Sequence, residues 1–96
     1  IGTARNISRS TDILYLLMLQ SGTNMVNDDY TAATFSESIN QNGEYFSPGE
    51  TALKFYTDFA NPQYDFYTWN PKMDFSTDAF AQKKCAMIFG YSYTAD

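Results

Sequence analysis

Ser47-Pro48-Gly49-Glu50-Thr51-Ala52-Leu53-Lys54-Phe55-Tyr56-Thr57-Asp58-Phe59-Ala60-Asn61-Pro62 is the stretch from which the architecture reads most directly. It carries three helix-start signals within four residues. The Ser47 hydroxyl is placed to accept from the backbone N–H of Glu50, and Glu50 is placed to reach back in a capping box. Pro48 occupies the first helical position, where its missing N–H costs nothing. Ala52, Leu53, Tyr56, Phe59 and Ala60 then recur at helical spacing. Asn61-Pro62 ends the helix, because proline disfavours helical geometry in the residue before it.

On the C-terminal side, Gln63 to Phe75 forms an aromatic loop of Tyr64, Phe66, Tyr67, Trp69 and Phe75, interrupted by Asn70-Pro71. A short helix is expected through Asp78-Ala79-Phe80-Ala81-Gln82, capped by Ser76 or Asp74. Cys85-Ala86-Met87-Ile88-Phe89 reads as a buried strand ended by Gly90, with Tyr91-Ser92-Tyr93-Thr94 emerging from it. An unpaired strand is not stable, so the ladder partners of Ala86 to Phe89 are expected largely elsewhere.

On the N-terminal side, Thr23 to Glu44 is rich in Asn, Asp, Ser and Thr and reads as a long connection with a turn at Asn42-Gly43. Ala32-Ala33-Thr34-Phe35 fits either a short strand or a helical turn. Before it, Ser8 to Gln20 predicts a helix, with Ser8, Ser10 and Asp12 as candidate N-caps and Gly22 at the C-terminal cap. Its Ile13-Leu14-Tyr15-Leu16-Leu17-Met18-Leu19 run is apolar on every side, the pattern of a helix buried all round. A chain of 96 residues has too little material to cover it. The chain also opens on Ile1-Gly2-Thr3-Ala4-Arg5 without an initiator Met. These features lead to the expectation of a mostly α (α+β) piece of a larger protein, with one or two short strands and residues 1–96 forming one partial domain.

Composition narrows the function. Eight Tyr and eight Phe fit either packing against further protein or a binding surface. With a formal net charge of −5 and six Lys and Arg scattered over the chain, there is no basic stripe for nucleic acid or for a membrane-surface helix. The longest apolar run, Ile13 to Leu19, falls far short of the roughly 20 residues that span a bilayer. Cys85 is the single cysteine and there is no histidine, so neither an internal disulfide nor a zinc site is expected. Cys85 reads as a small buried hydrophobe. Asn6-Ile7-Ser8 matches a glycosylation sequon.

An ordered set of segments carries a resemblance. Ala52-Leu53-Lys54-Phe55-Tyr56-Thr57-Asp58-Phe59-Ala60 is followed by Tyr67-Thr68-Trp69-Asn70, by Ser76 and Asp78-Ala79-Phe80, and by Lys84-Cys85-Ala86-Met87-Ile88-Phe89-Gly90-Tyr91-Ser92-Tyr93. Upstream stand Gly2-Thr3-Ala4-Arg5-Asn6-Ile7, Asp12-Ile13-Leu14 and Leu17-Met18-Leu19-Gln20-Ser21-Gly22. Together they are similar to the family 1 extracellular solute-binding proteins of bacterial ABC transporters, the group that includes maltose-binding protein. The resemblance spans nearly the whole chain and is weakest from Thr23 to Tyr45. It implies an internal segment of the second lobe of a two-lobe periplasmic-binding-protein fold. One departure stands out: the family usually has Gly where this chain has Lys83. If that turn needs a left-handed residue, Lys costs about 1 kcal/mol or more.

The resemblance implies a substrate-binding component of an ABC importer, located outside the cytoplasm in a periplasm or lipid-anchored at the cell surface. Its partners would be a sugar or oligosaccharide and the transporter's membrane subunits. Aromatic faces suit sugars because the axial C–H groups of a pyranose form an apolar patch, while a few polar groups fix hydroxyl orientation. Carried over by position, the ligand-stacking aromatic is Tyr93, with Tyr91 beside it; the competing reading makes both core residues beneath the rest of the lobe. Trp69 reads either as a buried anchor or as a stacking residue. Tyr64 and Tyr67 read as packing residues, and Asn70 before Pro71 reads as turn chemistry before sugar contact.

An enzyme is not expected. Glycosidases need two carboxyl groups facing each other across the substrate. Glu50 is explained by a capping box and Asp74 or Asp78 by a helix start. Glu44, Asp58 and Asp65 have no apolar setting that would suit an acid catalyst. Asn27-Asp28-Asp29 lacks the alternating spacing of a calcium loop and reads as solvated. The alternative to a solute-binding fragment is a free-standing helical interaction module. The two differ at Ser8 to Gln20: a module covers that helix within the chain, whereas a fragment exposes its apolar face or pairs it with a second copy in a non-native contact.

Overall fold

The computed structural model describes residues 1–95, the side chains of Gln41 and Ala95 excepted. Three α-helices and one two-stranded antiparallel sheet run in the order α1 (Ser10–Gln20), β1 (Ile39–Gln41), β2 (Glu44–Phe46), α2 (Pro48–Asp58) and α3 (Ser76–Ala81), followed by a 3-10 turn at Ser92–Ala95. More of the chain lies in loops than in helices and strands together.

The α2 start forms with the expected cap and proline, but the Glu50 half of the capping box is not made among the described residues. Ser47 is the N-cap in extended geometry, its hydroxyl accepts from the Glu50 N–H at 3.4 Å, and Pro48 follows at the first helical position. Pro48, Gly49, Ala52 and Tyr56 form the buried face. Gly49 has no freedom to be anything larger: a Cβ there would lie 1.8 Å from the Phe35 carbonyl oxygen. That close approach seats the start of α2 against the connection from α1.

α1 is shorter than expected at its start. Its N-cap is Arg9, which sits in the left-handed region at φ 55° and ψ 38° and offers no side-chain cap. None of the residues expected to cap the helix does so: Ser10 and Asp12 spend their side chains elsewhere, and Ser8 is held by its backbone. The Ser8 N–H donates to Ser76 Oγ at 2.8 Å, the Ser10 hydroxyl donates to the Ala4 carbonyl at 2.9 Å, and the Asp12 carboxylate accepts from Tyr91. The far end closes as expected: the Gly22 N–H donates to the Leu19 carbonyl and the Thr23 N–H to the Met18 carbonyl, with Gly22 at φ 87°. This is the paired bonding of a Schellman motif.

α3 ends in the same pattern. The Lys83 N–H donates to the Phe80 carbonyl and the Lys84 N–H to the Ala79 carbonyl. Lys83 takes the left-handed position, at φ 64°. The turn therefore does need a left-handed residue, and this chain puts a lysine there. At its start, α3 is not capped by Ser76 or Asp74. Phe75 is the N-cap without a side-chain bond, Asp74 instead pairs with Lys84 at 2.7 Å, and Ser76 serves the N-terminal segment.

The expected connection from Thr23 to Glu44 contains an unforeseen hairpin. β1 and β2 pair Ile39 with Phe46, Asn40 with Tyr45 and Gln41 with Glu44. Asn42 and Gly43 turn it at φ 54° and 86°, the two left-handed conformations of a type I′ turn. Ala32-Ala33-Thr34-Phe35 contributes an isolated antiparallel bridge, Ala33 with Val26. The expected strand at Cys85 to Phe89 is overturned: the segment forms no strand, and Met87 is 86% exposed. Its apolar run has no ladder partner among the described residues, so the hydrogen bonds that define a strand are missing. Cys85 is likewise half-buried, not buried.

The core joins both ends of the chain. Ile7, Ile13 and Tyr56 are buried together, with Leu14, Leu17 and Trp69 packed against them. Tyr56 donates its hydroxyl to the Thr3 carbonyl at 2.6 Å. Buried Asn6 donates from Nδ2 to the carbonyls of Asn70 and Met73 at 2.8 and 3.0 Å, and its own carbonyl accepts from Ser76 N–H. The Asn6 amide is thereby spent inside the fold, which removes it as a glycan acceptor. The Cα radius of gyration is 15.7 Å, against about 13 Å for a compact domain near this length.

Candidate functional site

Tyr91 and Tyr93 come together. Their rings lie nearly parallel, 15° apart, with centroids separated by 5.9 Å. Tyr91 is 50% and Tyr93 58% exposed. The chain turns tightly here, the Thr94 N–H donating to the Tyr91 carbonyl at 2.9 Å. No described residue covers these rings, whereas the core reading places them beneath further protein.

The start of α1 holds both hydroxyls. Arg9 donates from Nε and Nη2 to the Tyr93 hydroxyl oxygen at 3.3 and 3.1 Å. Its guanidinium carbon lies 5.7 Å from the Tyr91 ring centroid, within reach of a cation–π interaction. The Tyr91 hydroxyl donates to Asp12 Oδ2 at 2.8 Å. That hydrogen bond, then desolvation and the Asp12 charge, holds the Tyr91 phenol above its ordinary value. Hydrogen bonding to Tyr93, aided by the nearby Tyr93 and Asp12 charges, raises the Arg9 guanidinium likewise. Four side chains from opposite ends of the chain thus form one exposed, ordered patch. Neither Arg9 nor Asp12 stood out in the sequence as a site residue. Asp12 was noticed only as a candidate cap, and nothing local links either residue to tyrosines near the other end.

Trp69 packs against the core and stands apart from the two tyrosines. It is half-buried against the Ile7–Ile13–Tyr56 core, its N–H donates to the Phe59 carbonyl, and its indole nitrogen is buried without a partner. It is not part of the tyrosine stack. Tyr64 packs in a row of four rings: Phe55 on Phe59 at 5.2 Å, Phe59 on Phe66 at 5.1 Å, and Phe66 stacked on Tyr64 at 4.9 Å. Lys54 lies over Tyr64 at 5.4 Å and pairs with Asp58 at 2.7 Å. Asn70 does turn chemistry: its Oδ1 accepts from the Lys72 N–H, and its Nδ2 donates to the Tyr67 hydroxyl.

Among the described residues no cluster of three or more His, Cys, Asp and Glu side chains is placed to hold a metal ion. Asn27 accepts from the Thr31 and Ala32 N–H groups while Asp28 and Asp29 are exposed, as expected of a solvated loop. A polar cleft of about 280 Å³ lies beside that loop, lined by Thr23, Asn24, Asn27 and Glu37 among others, and contains none of Tyr91, Tyr93 and Trp69. No helix among the described residues is long and apolar enough to cross a membrane. Comparison with protein-family models, curated proteins and solved structures gives no match to this chain.

Proposed function

We propose that this chain is part of the second lobe of an extracytoplasmic solute-binding protein, and that the Tyr91–Tyr93 pair is a stacking surface for a sugar or oligosaccharide delivered to an ABC importer. The observation that carries the proposal is the exposed, parallel tyrosine pair with hydroxyls pinned by Arg9 and Asp12. Ordered aromatic faces beside polar hydroxyls match the amphipathic surface of a pyranose. Centroids only 5.9 Å apart leave no room for a sugar between the rings, so the ligand stacks on an outer face. The opposing cleft wall would come from the other lobe, with ligand favouring the closed arrangement of the two.

Exposed apolar surface supports the fragment reading over a free-standing module. Tyr15, Leu16 and Leu19 on α1, together with Met87 and Phe89, remain exposed. A second lobe of a larger protein has the material to cover them.

The test is made on the natural protein that contains this sequence. Its intact mass should exceed that of the 96-residue chain severalfold, and calorimetric titration with neutral oligosaccharides should find a binder. Tyr93→Ala should weaken that binding by about tenfold or more, the scale of one aromatic contact. Trp69→Ala should act through stability and not through the cleft. A natural product of only 96 residues with no sugar affinity would sink the proposal and leave the interaction module.

A further inference from the structure

Arg9 is the most conspicuous backbone outlier near the tyrosine pair. A non-glycine residue in the left-handed region pays a steric penalty, and such residues persist where surrounding structure holds them and cluster at functional sites. At an N-cap the usual geometry is extended and the usual residue is Ser, Thr, Asp or Asn. Arg9 has neither, and it makes no capping bond. What it does make is a pair of hydrogen bonds to Tyr93 and a contact over Tyr91. Three residues on, Asp12 takes the Tyr91 hydroxyl. The strained backbone thus aims one cation at both tyrosines, and the first turn of α1 sets the carboxylate beside it.

The chemistry of the two hydroxyls then differs. A phenol has one proton to give and lone pairs to accept. Arg9 can only donate, so it occupies the acceptor side of Tyr93 and leaves the Tyr93 proton free. Ionised Asp12 can only accept, so it takes the Tyr91 proton and leaves the Tyr91 oxygen free to accept.

We propose that Arg9 and Asp12 are positioning residues for the sugar surface: they lock the two rings side by side and assign Tyr93 as the outward donor and Tyr91 as the outward acceptor. This rests on the sugar-binding role proposed above. The ligand it implies is a neutral saccharide with adjacent hydroxyls, one accepting from Tyr93 and one donating to Tyr91. Neither Arg9 nor Asp12 need touch the sugar itself.

The experiment uses the full-length natural protein, wild type and carrying Arg9→Gly, Arg9→Lys or Asp12→Ala. The probes are maltotriose, cellotriose and xylotriose, titrated separately. Glycine suits the left-handed backbone, so Arg9→Gly should keep or raise the thermal midpoint while weakening binding about tenfold. A purely structural residue would move both in the same direction. Arg9→Lys, which cannot reproduce the two-donor fork, should fall between. In an alkaline spectrophotometric titration, Asp12→Ala should bring one tyrosine back down toward its ordinary value. If wild type binds a probe and Arg9→Gly binds within threefold of it, the positioning role is overturned. If wild type binds none of the three, the sugar-binding role fails with these probes. The locking of the rings is then judged by phenol titration and near-ultraviolet circular dichroism, and variants indistinguishable from wild type there overturn it as well.

Discussion

α1 and α2 are both 11 residues long, and they pack against each other. α2 spreads its apolar residues thinly but in period, and it buries Ala52 and Tyr56 four apart beneath Pro48 and Gly49. α1 holds an unbroken seven-residue apolar run, yet it buries only Ile13 and Met18. Its Tyr15, Leu16 and Leu19 are each close to half exposed, and their spacing makes them neighbours on one face. The less hydrophobic helix is therefore the better satisfied one. Periodicity says which face is buried, whereas excess hydrophobicity says how much covering surface a helix needs. α2 leaves two large apolar residues uncovered, Leu53 and Phe55 at 45% and 51% exposure, whereas α1 leaves three side by side on one face.

The largest expected effect falls on the satisfied side. Tyr56 joins α2 to Ile7 and Ile13 and ties Thr3 through its hydroxyl. Tyr56→Ala should cost about 3–5 kcal/mol in chemical denaturation, the range for deleting a buried aromatic ring. Tyr56→Phe keeps the ring but strands the Thr3 carbonyl, and should cost about 1–3 kcal/mol. The same residue gives a pH test. Burial raises its phenol above the ordinary 10.0, so the folded state holds the proton more tightly than the unfolded state. Its contribution is complete below the unfolded value and is lost as pH rises through the higher folded one. Stability should decline as pH rises from the unfolded value toward the higher folded one, and less steeply in Tyr56→Phe. An equally steep decline would assign the loss to other groups, with Tyr91 the first to examine.

The contrast between the helices also marks what was legible in the sequence. The α2 start was readable because the Ser47 hydroxyl and the Pro48 ring act on neighbouring backbone groups, so their signals need no tertiary context. The Gly22 cap was readable for the same reason. The hairpin was not: strands of three residues are too short to show alternation, and only Asn42-Gly43 announced the turn. Cys85 to Phe89 was misread because an apolar, strand-prone run looks the same whether or not a ladder partner is present. Ser8, Ser10 and Asp12 were reasonable caps locally, but the Asp12 carboxylate is taken by Tyr91, the Ser10 hydroxyl by the Ala4 carbonyl, and Ser8 is held by its backbone N–H. At the candidate site the tyrosines came from a family resemblance, whereas Arg9 and Asp12 could not be found that way. They meet their partners across separations of 84 and 79 residues, which no local pattern records.

The helix ends allow a finer comparison. α1 and α3 close with the same bonding, but Gly22 fills the left-handed position in one and Lys83 in the other. A Cβ at Gly22 would meet nothing within 4 Å, so Gly22→Ala tests backbone conformation alone. It should cost about 1 kcal/mol. Lys83→Gly should run the other way and stabilise by about 0.5–1 kcal/mol, the strain relieved less the added freedom of the unfolded chain. Opposite signs in thermal melts of the two variants would show that the ends are equivalent in geometry and differ only in residue. A loss on Lys83→Gly would instead mean that the Lys83 side chain contributes more than its backbone costs.

The smallest effect is expected where the chain is most hydrophobic. Leu16→Lys with Leu19→Lys places two charges on the uncovered face of α1. In the 96-residue chain, both positions are close to half exposed, so the change in stability should stay within about 0.5 kcal/mol per site. Any concentration-dependent self-association seen by sedimentation should disappear, because the stripe that drives it is gone. In the natural protein that contains this sequence, the same two substitutions should cost about 2 kcal/mol or more each if further protein covers that face, since burying an unpaired charge carries a heavy desolvation penalty. The ratio of the two costs measures how much cover that face has in the natural protein. Equal small costs in both contexts would mean that α1 remains uncovered in the natural protein. The asymmetry between the helices would then be a property of the native surface, and the exposed stripe would become evidence for a partner-binding module.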